Sequence, residues 1–256
     1  DALRHWLFED LMAAPSLMGT GSGVVMGGAF GPCVAGGIRP PTHESCDDPA
    51  KTLDTERRDA LLLLPKVLEL MGRPTKTMDL VSPYFVPMED GTAIFQELAR
   101  GGVRVRVLTN SLAATDVSAV HAGYAKRRKA LLEAGVQVFE LQRAPGEAGG
   151  GGGLGGSSSA SLHAKTFAVD GARAFVGSFN FDPRSALLNT EMGVVIESPA
   201  LARGLAEWFD TRVPLLAYEV KRTNSGEKRH DTEPGAGFFL RSWVGFLSLL
   251  PIEREL

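Results

Sequence analysis

Cysteine is scarce in this chain of 256 residues. Only Cys33 and Cys46 occur, too few for a disulfide framework or a zinc site, so two free thiols in a reducing compartment are expected. An excess of one charge is missing too. Lys+Arg number 27 against 30 Asp+Glu, a formal net charge of −3. A general nucleic-acid binder carries a clear basic excess, so nucleic acid is not expected as a partner, although a local basic cleft can hide in a neutral total. No apolar run approaches the ~18 residues that a membrane span requires. The start, Asp1-Ala2-Leu3-Arg4-His5, has neither an initiator Met nor the basic-then-apolar pattern of a signal peptide, and the chain is expected to be trimmed from something longer. The glycine pairs of Gly19–Gly37 follow no strand and precede no Gly-Lys-Ser/Thr, so they do not make a phosphate loop. No metal-ligand cluster is evident, and no cofactor is expected.

What is present becomes orderly from Asp47 onwards. Before it, Trp6–Met18 has the spacing of a short amphipathic helix, and Gly19–Gly37 reads as a linker, so residues 1–46 are taken as a linker or variable insertion and 47–256 as the folded domain. Lys51–Met71 has apolar residues at helical spacing, Thr77–Val81 reads as a strand, and Thr92–Arg100 as a helix ending at Gly101-Gly102. Val103–Thr109 alternates Val103, Val105 and Val107 against Arg104 and Arg106, as a strand does. Val117–Ala134 reads as a long helix capped by Gly135, and Val136–Leu141 as a strand. The glycine run Gly149–Gly156 is a flexible loop by composition, open to use as a surface insertion or an active-site flap. Leu162–Val169 and Ala174–Gly177 read as strands joined by the hairpin signal Asp170-Gly171. Glu191–Glu197 is a further strand, Pro199–Trp208 a helix, Arg222–Pro234 a polar loop, and Phe238–Leu250 an apolar, aromatic segment. Helices of this length between short strands predict a layered α/β domain.

Chemistry concentrates in 161–193. His163 and Lys165 are two apart, so on a strand they share a face. A cation beside an imidazole is a costly arrangement for packing alone and makes sense facing an anion. Lys165 supplies a fixed charge for a phosphate oxygen, and His163 can attack phosphorus or shuttle a proton near neutral pH. Gly177 permits close backbone approach. Ser178 and Asn180, again two apart, can hydrogen-bond one oxyanion. Glu191, at the start of a strand, can orient an imidazole by accepting its other N–H. Donors fixed in place before charge develops are the main means of lowering a phosphoryl-transfer barrier.

His163-Ala164-Lys165, four residues, then Asp170, followed by Gly177-Ser178-Phe179-Asn180 and Glu191, resembles the HxKx4D signature of the phospholipase D superfamily. That resemblance implies an α/β/α sandwich with a mixed central sheet. It implies a full site assembled from two such motifs, contributed by two halves of a chain or by two subunits, and reaction through a phosphohistidine. One histidine attacks; the other protonates the leaving group and then activates the acceptor alcohol or water. Asp170 is implied to be structural. Further segments, Asp47-Asp48-Pro49-Ala50-Lys51, Ser82-Pro83-Tyr84-Phe85-Val86-Pro87, 109–116, Val120-His121-Ala122-Gly123-Tyr124 and Leu250-Pro251-Ile252-Glu253, are similar in order to bacterial cardiolipin synthases of the C type. This implies phosphatidyl transfer between phospholipids, with phosphatidylglycerol, phosphatidylethanolamine or cardiolipin as substrates, at the cytoplasmic side of the inner membrane as a peripheral protein.

The chain departs from that pattern in one respect. The other histidines, His5, His43, His121 and His230, lack a lysine two positions on, so the first of the two motifs is absent. The chain thus resembles the C-terminal half of a synthase. It is expected to be incomplete alone and to need its N-terminal half or a second copy, with His163 as the general acid/base. The alternatives are a homodimeric phosphodiesterase or nuclease, and a catalytically incomplete half-domain. Asn110 and Asp116, which follow a strand end where α/β folds place ligands, and His121 with Tyr124 one turn away, are the candidate headgroup contacts. Tyr84 and Phe85 serve either acyl entry or core packing. Phe238, Phe239, Trp243, Phe246 and Leu247 make either a membrane-dipping face or a packing face.

Overall fold

Burial needs decide how these segments assemble. A strand whose neighbours alternate between two apolar sets requires cover on both faces, and Leu80 and Val107 face one set of helices while Val81 and Leu108 face another. The structure, a computed structural model, describes residues 41–53, 61–143, 162–221, 234–250 and 253. The expected Trp6–Met18 helix, the Gly19–Gly37 linker, the Gly149–Gly156 loop and residues 222–233 of the polar loop lie outside the described residues.

Eight strands form one mixed sheet: β1 (Thr42–Cys46), β2 (Thr77–Val81), β3 (Arg104–Asn110), β4 (Gln137–Leu141), β5 (Thr166–Val169), β6 (Arg173–Gly177), β7 (Met192–Ile196) and β8 (Ala217–Val220). Their spatial order is β1-β7-β6-β5-β2-β3-β4-β8. β2, β3 and β4 run parallel, and the remaining pairs are antiparallel. Helices α1 (Leu63–Met71), α2 (Met88–Arg100) and α3 (Ser118–Glu133) bury Val67, Phe95 and Leu131 against one face. A four-residue-plus-one turn of helix, α4 (Pro183–Leu187), follows β6. On the opposite face α5 (Pro199–Thr211) and α6 (Val213–Leu216) bury Leu205, Phe209 and Val213. The last helix is α7 (Phe238–Leu247). This is the expected α/β/α sandwich.

Several boundaries differ from expectation, each for a physical reason. Thr42–Cys46 pairs along the full length of β7, so the domain extends before Asp47. An edge strand with the exposed pattern of β1 carries no apolar alternation to announce it. α2 starts at Met88, a turn before Thr92, because Glu89 and Asp90 favour a helix N-terminus and outweigh Gly91. The expected Lys51–Met71 helix is a 3₁₀ turn at Pro49–Thr52 followed by α1. Arg106 does not face solvent. It is 4 % exposed, forked onto Asp79 of β2 (Nε–Oδ1 2.6 Å, Nη2–Oδ2 2.9 Å) and bonded to Asp210 of α5. Such a pairing is required once α5 covers that face of the sheet.

Candidate active site

The sheet's register brings the motif to one rim. Because β5 runs antiparallel to β2, Thr166 at its start lies opposite Val81 at the end of β2. The end of β6 then meets the start of β7, Gly177 opposite Gly193, and Cys46 at the end of β1 meets Met192. The loops after β1, β2, β3 and β6 and those before β5 and β7 therefore share one edge. Close approach there is literal. A Cβ on Gly193 would lie 2.3 Å from the Phe175 ring, and one on Gly177 2.5 Å from the Met192 carbonyl oxygen. Phe175 itself is stacked on Phe167 at 4.9 Å.

The expected strand from Leu162 begins only at Thr166. The segment 162–165 is tied by other means. Leu162 N–H donates to Asn110 Oδ1 (3.1 Å), and Gly177 N–H donates to the Lys165 carbonyl (3.1 Å). His163 is exposed, and its carbonyl accepts from Lys165 Nζ (3.0 Å). Lys165 is part-buried, and that burial holds its ammonium below the usual lysine range. Glu191, Asp182 and Asp116 act in the opposite direction through their negative charge. Those three carboxylates therefore lie within electrostatic reach of Lys165. A cation held this way gains from a bound phosphate.

Past β6 the chain alternates: Phe179 enters the core, while Ser178 and Asn180 lie on the other side. Ser178 and Asn180 are employed differently. Ser178 Oγ donates to Glu191 Oε2 and accepts from Met192 N–H (3.0 Å), so it holds the carboxylate rather than standing open as an oxyanion donor. Asn180 is 8 % exposed, and its buried side-chain oxygen has no hydrogen-bond partner among the described residues. An amide can turn either its oxygen or its NH2 to such a point, and a buried polar group without a partner is costly. That leaves the Asn180 amide as a candidate ligand contact.

Glu191 is gripped from three sides. Its Oε1 accepts from Asn189 Nδ2 (3.2 Å) and its Oε2 from Ser178. Its backbone N–H donates to Asp47 Oδ2 (2.8 Å), and its carbonyl accepts from Asp47 N–H (2.9 Å). Asp47 in turn takes Lys51 Nζ (2.7 Å) and Leu63 N–H (2.6 Å). Lys51 is fully buried.

Asp170 sits at the far end of β5, in the hairpin turn. Both Asp170 and Gly171 have positive φ (54° and 62°), as a primed turn requires. Its carboxylate accepts from Thr75 N–H (3.0 Å), Thr75 Oγ (2.7 Å), Lys76 N–H (2.7 Å) and Thr77 N–H (2.9 Å). Burial pushes its carboxyl up, but these donors together outweigh that and hold it below the usual range. The geometry is that of a structural clamp on the entry to β2.

The four headgroup candidates divide. Asp116 is exposed at the rim, and Tyr84 Oη donates to both its oxygens (2.8 and 2.9 Å). Burial, then Asp116, pushes the Tyr84 phenol up, so it remains a donor. Asn110 is buried and positions the approach to His163. Tyr124 is buried with its hydroxyl on Glu140 Oε1 (2.8 Å), its ring under Arg128, and His121 packs edge-on against it at 5.4 Å. His121 and Tyr124 are both buried, and Glu140, to which Tyr124 bonds, lies opposite Thr109 near the end of β3. Phe85 is a core residue, 0 % exposed, whereas Tyr84 serves the rim. Two groups escaped the sequence reading. Asp182, the N-cap of α4 through Ser185 N–H (2.6 Å), has its carboxyl pushed up to about 6 by burial, with Glu191 adding to the shift. The Asp47–Lys51 pair beneath Glu191 is the other. The Asp-Pro spacing at Asp182-Pro183 was the available sign of a cap.

Comparison with known proteins places the chain in a family. The family described as cardiolipin synthase, PLD-like domain, matches residues 67–213. Cardiolipin synthase C of Escherichia coli is 44 % identical over 220 residues, covering 81 % of this chain and 46 % of that protein. Cardiolipin synthase A of Proteus mirabilis is 33 % identical over 131 residues, covering 51 % of this chain and 23 % of that protein. The chain therefore spans about half or less of the length of these relatives. Among solved structures, the phospholipase D family member Nuc of Salmonella typhimurium superposes with a TM-score of 0.51 at 18 % identity, covering 72 % of this chain and 100 % of that one. Phosphatidylserine synthase of Haemophilus influenzae gives 0.53 at 16 %, covering 76 % and 45 %. Those two likenesses establish the fold, and the sequence relationships establish more: the chain belongs to the cardiolipin synthase family of phospholipase D-like domains.

Proposed function

We propose that the protein carrying this chain is a phosphatidyltransferase that makes cardiolipin, and that this chain supplies the second half of its active site. The convergence of His163, Lys165, Asn180 and Glu191 on one rim, with the Asn180 amide a candidate ligand contact, carries the reading. Kinship to cardiolipin synthase C supports phosphatidylglycerol, phosphatidylethanolamine or cardiolipin as substrates.

In this scheme a histidine from the other half attacks phosphorus. The new P–N bond forms as the P–O bond to the leaving glycerol oxygen breaks, and the His163 imidazolium gives that oxygen its proton. His163, now neutral, takes the proton of an acceptor hydroxyl, whose oxygen forms the new P–O bond as P–N breaks. Lys165 and Asn180 hold the non-bridging oxygens as charge develops. Ser178 and the Asp47–Lys51 pair hold Glu191 in position, and Asp170 braces the hairpin. Such general acid/base work contributes typically about 10²–10⁴-fold. In this scheme the protein meets its bilayer lipids from the membrane surface. No helix among the described residues is long and apolar enough to cross one.

The test is cardiolipin formation from phosphatidylglycerol, with and without phosphatidylethanolamine, by the full-length protein and by its His163→Ala variant. Loss of about 10²-fold or more is expected. Undiminished cardiolipin in the variant sinks the proposal, and metal-independent DNA cleavage in its place would favour a nuclease.

A further inference from the structure

We infer that α7 is the element by which the protein docks on an anionic phospholipid surface, seating its apolar outer face in the bilayer beside the active-site rim. The inference rests on the phosphatidyltransferase reading for its choice of partner, and on the following geometry for its location.

α7 and the residues just after it, Phe238–Leu250, include one charged residue, Arg241, and no acid. A helix that is apolar all round requires apolar cover all round. Among the described residues one stripe of α7 has it: Val244 is buried, and Leu240 and Leu247 pack with it on Leu112, Ala122 and Ala236. The opposite stripe is bare. Phe239 is 87 % exposed and Leu249 81 %, with Phe238, Trp243 and Phe246 each more than half exposed. The rings are grouped: Phe238 lies against Phe239 at 5.7 Å, and Trp243 stacks on Phe246 at 5.9 Å. Exposed patches of this kind mark protein or membrane contact.

Position and charge favour the membrane. Leu112, on which α7 rests, is two residues beyond Asn110 and four before Asp116, so the helix adjoins the loop that carries the rim. At Gly235, just before α7, an added Cβ would lie 3.2 Å from Ala113 Cβ. A phospholipid with its phosphate at Lys165 must keep its acyl chains in the bilayer, so an apolar face is needed on this side of the molecule. The neighbouring surface keeps a small basic balance after its ion pairs. Lys126, Arg127, Arg128 and Lys129 stand in a row on α3, and Lys126 donates to the Leu250 carbonyl (2.7 Å) at the end of the segment. Glu253, Glu140 and Glu133 pair with Arg127, Arg128 and Lys129 (2.7, 3.0 and 4.0 Å), so four cations face three acids, and Arg241 of α7 adds one more positive charge. Exposed Trp and Phe beside Lys and Arg match the interface of a bilayer rich in anionic lipid. Ten residues of helix rise about 15 Å, half a hydrocarbon core, so α7 lies in the interface and does not span it.

The experiment uses the full-length protein and a Phe239→Ser/Trp243→Ser/Phe246→Ser variant, which leaves the Val244 stripe intact. Co-sedimentation is measured with mixed phosphatidylethanolamine–phosphatidylglycerol vesicles, and turnover with a short-chain phosphatidylglycerol dissolved as monomer. The variant is expected to bind vesicles at least about tenfold more weakly, with unchanged melting, oligomeric state and short-chain turnover. A Trp243→Phe variant, which keeps the apolar face, should bind as the wild type does and lose the tryptophan quenching produced by brominated acyl chains. Equal vesicle binding by the triple variant overturns the inference, as does a change in oligomeric state, which would mean that protein covers the face. Trp243 emission that brominated lipid leaves unquenched overturns it too, even if the triple variant fails to fold. Absence of short-chain turnover in a wild type that still binds vesicles would instead sink the phosphatidyltransferase reading and leave the docking face standing.

Discussion

Asp170→Asn separates bracing from catalysis within the motif. The substitution keeps the side chain's shape and removes its charge. Asn tolerates the positive φ of 54° at this position, which Ala would not. One oxygen remains to accept from the amides of Thr75, Lys76 and Thr77, while an NH2 now faces Thr75, whose N–H and Oγ donated to the lost oxygen. Bonds to an ionised acceptor contribute about 1.5–3 kcal/mol against about 0.5–1.5 for neutral ones. The clamp is open to solvent on one side, so the whole exchange should cost roughly 2 kcal/mol rather than the sum. For a domain of this size that is a fall in melting temperature of about 4–8 °C. Thermal unfolding checks the magnitude, and hydrogen exchange at the amides of Thr75–Thr77 checks the location, since protection there should drop first. Turnover per folded molecule, measured well below the transition, should stay within about threefold of wild type. A loss of about 100-fold with unchanged melting and unchanged exchange would refute the bracing role. The sign of the pH effect agrees with it. A carboxyl held below its usual range contributes stability that is complete above the ordinary pKa of 3.8 and is lost as pH falls through the lower folded value, so the wild type should lose this advantage in acid while the variant has none to lose.

Further outcomes follow from the same geometry. Asp182 has the opposite sign: with its folded pKa raised to about 6 from 3.8, its charge costs stability above pH 6, and that cost disappears as pH falls towards 4. Asp182→Asn, which can still cap α4, should raise stability at pH 7 by up to about 2–3 kcal/mol and leave it unchanged near pH 4, as denaturant titrations at the two pH values would read. Lys51→Met strands the buried Asp47 carboxylate and should cost about 3–5 kcal/mol. It should also lower turnover by freeing Glu191, which kinetics on the residual folded fraction would separate from instability. Gly193→Ala drives a methyl into the Phe175 ring at the Gly177–Gly193 crossing and should destabilise by about 1–3 kcal/mol in a thermal melt. Lys165→Met relieves the cost of a part-buried ammonium, so it should stabilise the unliganded protein while abolishing transfer, with melting and cardiolipin synthesis moving in opposite directions.

β2 and α3 were legible in the sequence to within a residue or so through their punctuation rather than a period: β2 is a short apolar run stopped at Ser82-Pro83, and α3 is long and closed by Gly135, although its buried residues do not form one stripe. β1 was not, since its exposed residues show no alternation, and β8 and α6 are too short to show a period at all. The alternation of Val103, Val105 and Val107 with Arg104 and Arg106 announced β3 but not the burial of Arg106, which depends on Asp79 of β2 and on the covering of that face by Ala206 and Phe209 of α5. At the site, the spacing of His163, Lys165, Asn180 and Glu191 was readable because each is fixed by its distance along one strand or turn. What the spacing could not convey was which partner each side chain takes: Ser178 on Glu191, Asn110 on Leu162, Tyr124 on Glu140. Those pairings join residues up to 52 positions apart.

The central claim is that His163 gives a proton to the leaving group at a site this chain only half supplies. It is tested most directly by changing the leaving group. The full-length protein and its His163→Ala variant are compared on phosphatidylglycerol, whose glycerol oxygen needs a proton to depart, and on phosphatidyl-p-nitrophenol, whose phenolate does not. The account predicts that glycerol release falls by about 10²–10⁴-fold in the variant, while the burst of p-nitrophenolate, one per site, falls by less than about tenfold. Equal loss on both substrates would contradict it and make His163 the nucleophile or a structural residue.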